Sequence, residues 1–279
     1  MANDDHADLA ALTWQVAAGA DECMAEAPID RFAVAPAAAT QPQPLPEPIQ
    51  QRAPLEEARD PARPVAPAHG TPVAESAAQA QALAVAAGTL KELRTTLERF
   101  DGCSLKKTAT NLVFGDGAPN APLMLIGEAP GRDEDRQGLP FVGVSGQLLD
   151  VMLGHLGLDR GSAYITNILP WRPPGNRQPS PIEIATCLPF IKRHIELVGP
   201  KVILFLGGTA AKTLLNRTEG ITKLRGRWFD YQPAGGDMDA AIPAMATYHP
   251  AYLLRQPASK RLAWQDMLAV QAKLREPAP

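Results

Sequence analysis

Between residues 122 and 248 the apolar positions fall into four short, nearly unbroken runs: PLMLIG (122–127), AYITNIL (163–169), KVILFL (201–206) and AMATY (244–248). Runs of this length, apolar on both faces and separated by helical stretches, predict buried strands of a parallel sheet. Between them the period changes. Leu148, Leu149, Met152, Leu153 and Leu156 follow helical spacing, and Ser145 is placed to cap a helix over about 145–157. Ser180-Pro181-Ile182-Glu183 combines an N-cap, a proline at the first helical position and a capping-box acid, so a helix opens there and runs to Gly199-Pro200. Further helices are predicted at about 88–100, 209–216 and 258–275, and residues 128–144 read as a long polar loop.

A β-α-β-α-β-α-β order implies an α/β fold, a three-layer α/β/α sandwich around a four-stranded parallel sheet. In such sheets ligands bind along the carboxyl ends of the strands. Glu128, Asn167, Gly207 and His249 follow those ends and are expected to share one crevice.

Composition divides the chain. Residues 1–90 hold 4 arginines, no lysine and 12 acidic residues, a net charge of −8, whereas residues 91–279 carry +5. The overall charge of −3 therefore hides a mildly basic body, compatible with a polyanion partner. A short helix is expected at 7–26, as a weakly ordered appendage or as a docking peptide for a protein partner. The Ala/Pro-rich stretch 34–75 reads as a disordered linker, because dense proline denies backbone hydrogen bonds. On this reading 1–85 is an extension and 86–279 the folded domain. Three widely spaced cysteines, Cys23, Cys103 and Cys187, imply no disulfide framework and suit a reducing, cytoplasmic setting. The N-terminus lacks the apolar core of a secretory signal, and no apolar run approaches the roughly 20 residues of a membrane span.

The strand tips carry the chemistry. Gly127 and Gly131 bracket the loop GEAPG and allow close backbone approach to a ligand. Asn167 offers a donor and an acceptor, suited to the edge of a base. Arg172 and Arg177 stand on the proline-stiffened loop beyond it, placed either to touch phosphates or simply to be solvated. His249 ends the last strand, followed by Tyr252-Leu253-Leu254 and Arg255. An apolar tip beside a cation is what pushes a base from a duplex and holds the flanking phosphates.

Taken together, GEAPGRDED (127–135), PFVG (140–143), ITNILPWRPPGNR (165–177), LGGTAAKTLL (206–215), ITKLRGRW (221–228) and YHPAYLLR (248–255) resemble the uracil-DNA glycosylase superfamily, specifically its family 4 type. The blocks occur in that family's order and cover roughly 100–275. The resemblance implies a monofunctional enzyme of base-excision repair that hydrolyses the N-glycosidic bond of uracil flipped out of DNA, acting as a monomer near the nucleoid. It implies that Phe141 stacks on the extruded uracil within a pocket that Gly127 and Ala129 also form. Asn167 reads the uracil edge, His249 stabilises the uracil anion, and Glu128 positions water or counters charge on the sugar. Leu253 is then a wedge candidate and Arg255 a phosphate contact.

The resemblance also implies a 4Fe–4S cluster on four cysteines, and here the chain departs from it. Cys103 and Cys187 match two of the ligand positions, while Phe100 and Trp171 stand at the other two. Two thiolates do not hold such a cluster. No cofactor is therefore expected, with the two aromatic side chains packed in the vacated volume. The loop of the superfamily's covalently trapping branch is absent, so ordinary turnover is expected. Two other readings compete: a non-catalytic DNA-binding or damage-sensing module on the same fold, and a phosphate-ester enzyme using the helix start at 207–209.

Overall fold

The computed structural model describes residues 72–233 and 241–277. The helix expected at 7–26 and most of the linker expected at 34–75 lie outside the described residues.

Six strands form one sheet: β1 (Asp116–Gly117), β2 (Leu123–Gly127), β3 (Ala163–Asn167), β4 (Val202–Leu206), β5 (Trp228–Tyr231) and β6 (Ile242–Thr247), in the order β1-β3-β2-β4-β6-β5. The four predicted strands are its parallel centre, and the short antiparallel edges β1 and β5 extend it. β5 escapes a search for apolar runs because it is an edge strand: Trp228 is exposed and only Tyr231 is buried.

Successive residues of the central strands point to opposite faces, and each face has its own core. Met124, Ile126, Ile203, Phe205, Ala244 and Ala246 pack on one side. Against them lie α1 (Pro72–Ala86), α2 (Leu90–Arg99), α5 (Pro181–Val198) and α6 (Gly208–Leu215), through Ala80, Leu93, Phe190 and Ala210 among others. On the other side Leu123, Leu125, Ile165, Leu204 and Met245 meet α4 (Val144–His155) and α9 (Lys260–Arg275) through Leu149, Leu153, Met267 and Val270. Two covered faces make every residue of β2, β3 and β4 buried, the reason these strands read as continuous apolar runs.

Several local expectations are corrected. α1 lies in the stretch assigned to the extension, yet Ala80 and Ala84 are fully packed, so the folded body begins before residue 86. Its core contact is made by alanines, which leave no strong apolar stripe to read. The loop 128–144 contains α3 (Arg132–Gln137), and Gly143 rather than Ser145 caps α4. The predicted capping box is formed: Ser180 Oγ accepts from Glu183 N and the Glu183 carboxylate accepts from Ser180 N at 2.7 Å. Two short helices complete the chain, α7 (Ile221–Leu224) and α8 (Pro250–Arg255).

Candidate active site

β2 is followed by β3 on one side, and the chain then crosses back to β4 on the other. The carboxyl ends of β2 and β4 therefore flank a topological switch point, where open α/β sheets hold ligands. A cavity of about 480 Å³ opens there, lined by Glu128, Ala129, Phe141, Asn167, His249 and Arg255 among others.

Register brings the distant tips together. Gly127 pairs with Asn167 across β2 and β3, and beyond the ladder Ile168 N and Leu169 N donate to the carbonyls of Gly127 and Glu128 at 3.0 and 3.1 Å. Gly127 backs the pocket without lining it: a Cβ on it would run into Asn167 Oδ1 and the Phe141 ring. Asn167 is 5% exposed, and its Oδ1 is a buried acceptor with no hydrogen-bond partner. Such an atom is costly unless something it binds completes it.

The Phe141 ring stacks near His249, with centroids 5.5 Å apart and planes 30° from parallel. Phe141 has φ 53°, a left-handed conformation uncommon for a large side chain, and it is held there from outside. The Arg160 guanidinium donates to the carbonyls of both Phe141 and Pro140, while ion pairs at 2.8 Å to Asp116 and 2.9 Å to Asp150 fix it in turn. Glu134 closes the other side, accepting from Gly131 N at 3.1 Å and from Val142 N and Gly143 N at 2.9 Å. Sequence reasoning missed both residues and read 128–144, acidic cluster included, as a polar loop. Asp135 is in fact buried and accepts from Thr110 N at 2.8 Å and Asn111 N at 3.2 Å. Asp116 lies 44 residues from Arg160 and Thr110 lies 25 from Asp135, so nothing local signals those two roles, whereas Glu134 meets amides only three to nine residues away.

His249 caps α8, its Nδ1 accepting from Ala251 N at 3.1 Å. With Nδ1 an acceptor, the neutral ring carries its proton on Nε2. Burial, and secondarily the charge of Arg255, push its pKa down to about 4, against an opposing pull from Glu134. The strand before it is anchored by Thr247 Oγ1, which donates to Asp266 Oδ2 at 2.7 Å, and Asp266 pairs with Arg225.

The cationic residues divide. Arg255 is exposed on the cavity rim. Arg172 lines an adjoining cleft with Arg132, its Nε donating to Asn176 Oδ1 at 2.7 Å. Arg177 reaches the cavity wall, but its guanidinium forks onto Glu183 at 2.6 and 2.9 Å and pulls that carboxyl down to about pKa 2. The expectation for Leu253 is overturned. It is fully buried against Tyr248 and Ala263, whereas Leu254, 40% exposed, is the leucine that α8 turns outward.

Where the family resemblance would place a cluster, Cys103 and Cys187 lie with their sulfurs 3.7 Å apart. Phe100 and Trp171 are 3% and 2% exposed in the same core. Phe100 meets Phe190 edge-on at 5.0 Å and folds over the backbone of Gly102, where a Cβ would collide with its ring. Among the described residues no group of three or more His, Cys, Asp or Glu side chains gathers to hold a metal. Two thiols and two aromatic rings do not fit a four-thiolate cluster.

The description "Uracil DNA glycosylase superfamily" matches residues 114–268. The chain is 39% identical over 182 residues to a type-4 uracil-DNA glycosylase of Pyrobaculum aerophilum, covering 64% of this chain and 91% of that protein. It is 42% identical over 159 residues to a type-4 uracil-DNA glycosylase of Archaeoglobus fulgidus, covering 56% and 78%. With a type-4 uracil-DNA glycosylase of Thermotoga maritima it shares 38% over 174 residues, covering 61% and 87%. A family match over more than half the chain, together with relatives covered over 78–91% of their length, establishes that this protein belongs to the uracil-DNA glycosylase superfamily.

Proposed function

We propose that this chain is a uracil-DNA glycosylase that cleaves the bond between uracil N1 and deoxyribose C1′ and leaves an abasic site, and that it does so without an iron–sulfur cluster. The observation that carries the reading is the buried Asn167 Oδ1, unpartnered in a cavity walled by Phe141 and His249. Uracil supplies what that atom lacks. Its N3–H donates to Oδ1, its O4 accepts from Nδ2, and its ring covers Phe141. Cytosine presents an acceptor at N3 and a donor at C4, so against the same amide both contacts become repulsive, a strong basis for rejection.

Bond cleavage leaves electrons on the departing uracil and positive charge on the sugar. The neutral His249 donates through Nε2–H to the uracil carbonyl as charge grows there. A preorganised donor of this kind contributes about 3 kcal/mol to transition-state stabilisation. Glu128, also lining the cavity, orients the hydrolytic water and opposes the charge on the sugar. Loss of uracil as an anion needs no protein nucleophile. Extrusion of the base costs a few kcal/mol, offset by contacts of Arg255 and Arg172 with flanking phosphates. Leu254 fills the gap left in the stack.

The test is a duplex and a single strand, each with one uracil, incubated with the protein and then treated with alkali. Scission at the uracil position is expected, and none with cytosine or thymine there. Intact strands with both uracil substrates would refute the reading.

A further inference from the structure

Cys103 and Cys187 take no part in the chemistry above, yet the fold brings them together from 84 residues apart. The Cys187 thiol points at Cys103 Sγ across 3.7 Å, and both are buried free thiols, with Cys103 on the irregular segment whose opening admits a small oxidant. Their backbones differ in a useful way. Cys187 is on the second turn of α5, packed among Phe190 and Ile191, and is held in place. Cys103 sits on irregular, unstrained backbone (φ −104°, ψ 124°) just before the 3₁₀ turn Ser104–Lys107. A disulfide requires sulfurs about 2.05 Å apart. The contact is already at van der Waals range, and side-chain rotation with a small shift of the 100–103 segment closes it.

We infer that Cys103 and Cys187 form an intrachain disulfide, reversibly, when the protein meets a hydroperoxide. The Cys103 sulfur, which accepts the Cys187 S–H, attacks the peroxide oxygen. An S–O bond forms, the O–O bond breaks, and water or an alcohol leaves after taking the Cys103 proton. The Cys187 sulfur then attacks the sulfenic Cys103 sulfur. The S–S bond forms, the S–O bond breaks, and the departing hydroxide takes the Cys187 proton to leave as water. Two electrons pass from the two sulfurs to one peroxide, and thiol exchange with a cellular thiol returns the pair to its reduced state. The bond closes a loop running from 103 to 187, which contains Glu128, Phe141 and Asn167. Cross-linking so long a loop restrains the unfolded chain, so the oxidised protein is the more heat-stable form. In a reducing compartment such a pair acts transiently rather than as a permanent staple.

The experiment uses the full chain with Cys23→Ser, leaving two thiols. It is exposed to hydrogen peroxide, denatured, alkylated with N-ethylmaleimide and weighed. Loss of two hydrogens with no alkylation is expected, together with a Cys103–Cys187 cross-linked peptide, reversal by dithiothreitol and a melting temperature several degrees higher before reduction. In Cys187→Ser, Cys103 should stop at the sulfenic acid and react with dimedone. Two alkylated thiols after peroxide, added oxygen in place of lost hydrogen, or a link formed only between chains would each overturn the inference. The readout is mass, so it stands or falls separately from glycosylase activity.

Discussion

Two regions of this protein share the same sheet and have opposite character. The carboxyl edge of the central strands is a polar cavity. It holds an unpartnered acceptor on Asn167, a phenylalanine at φ 53° and an imidazole with a depressed pKa. The core beneath α2 and α5 is apolar, with Phe100, Trp171 and Phe190 buried beside the two thiols. Unfinished hydrogen bonding and backbone held away from its minimum mark a place built for something else to complete. Close-packed aromatic rings mark a place complete in itself. Two regions of one family fold thus differ in kind: one leaves polar groups open to a ligand, the other is packed with aromatic rings beside two thiols.

Substitutions should separate the two regions by which observable moves. The largest effect is expected for Trp171→Ala, which removes about 3–5 kcal/mol of stability by opening a cavity in the core. Thermal or denaturant melting measures it, and the rate per folded molecule should stay near that of the parent. A Trp171→Ala protein with unchanged melting would mean the ring is not packing at all. Asn167→Ala and His249→Ala should do the reverse, each lowering kcat on a uracil oligonucleotide by about 10²–10³-fold. Asn167→Ala should leave melting nearly untouched, because the lost Oδ1 has no partner in the fold. Wild-type rates in both variants would put the chemistry elsewhere.

Arg160→Gln tests the border between the regions. It removes a buried-facing clamp on the Pro140 and Phe141 carbonyls without touching substrate. A loss of about tenfold in kcat/KM is expected, carried mainly by KM as Phe141 loses its fixed position, with a modest fall in melting temperature. Equal loss in kcat alone would argue against a positioning role.

Acid should weaken the whole body. His249 is held neutral down to about pH 4 and the fully buried His194 to about 3, both through desolvation, against an ordinary value of 6.5. Both imidazoles take up protons more readily in the unfolded chain, so their contribution to stability is complete above pH 6.5 and lost as pH falls below it. Melting temperature should be flat from pH 7 to 8 and decline from about 6.5 toward 4. His194→Gln should flatten part of that decline. The smallest effect is expected for Leu254→Ala: unchanged melting, with cleavage of duplex substrate reduced a few-fold more than cleavage of a single strand. Leu253→Ala should instead lower stability by about 2–5 kcal/mol.

The central strands, the capped helix at Pro181 and the convergence of Glu128, Asn167 and His249 were legible in the sequence, because each depends on local pattern. A strand buried on both faces must be apolar throughout, and a helix start must satisfy its own free N–H groups. The strand ends of a parallel sheet then gather on one edge. Residues whose role depends on partners far along the chain were not legible. Arg160, Asp135 and Asp266 look like surface charges until folding brings backbone carbonyls, amides and a guanidinium to them. The choice between Leu253 and Leu254 rested on the rotation of one short helix, which only packing against Tyr248 and Ala263 sets. Periodicity and motif order are short-range properties that the chain carries before it folds. The hydrogen bonds that hold Phe141, and the meeting of Cys103 with Cys187, come into existence only when distant segments share a core.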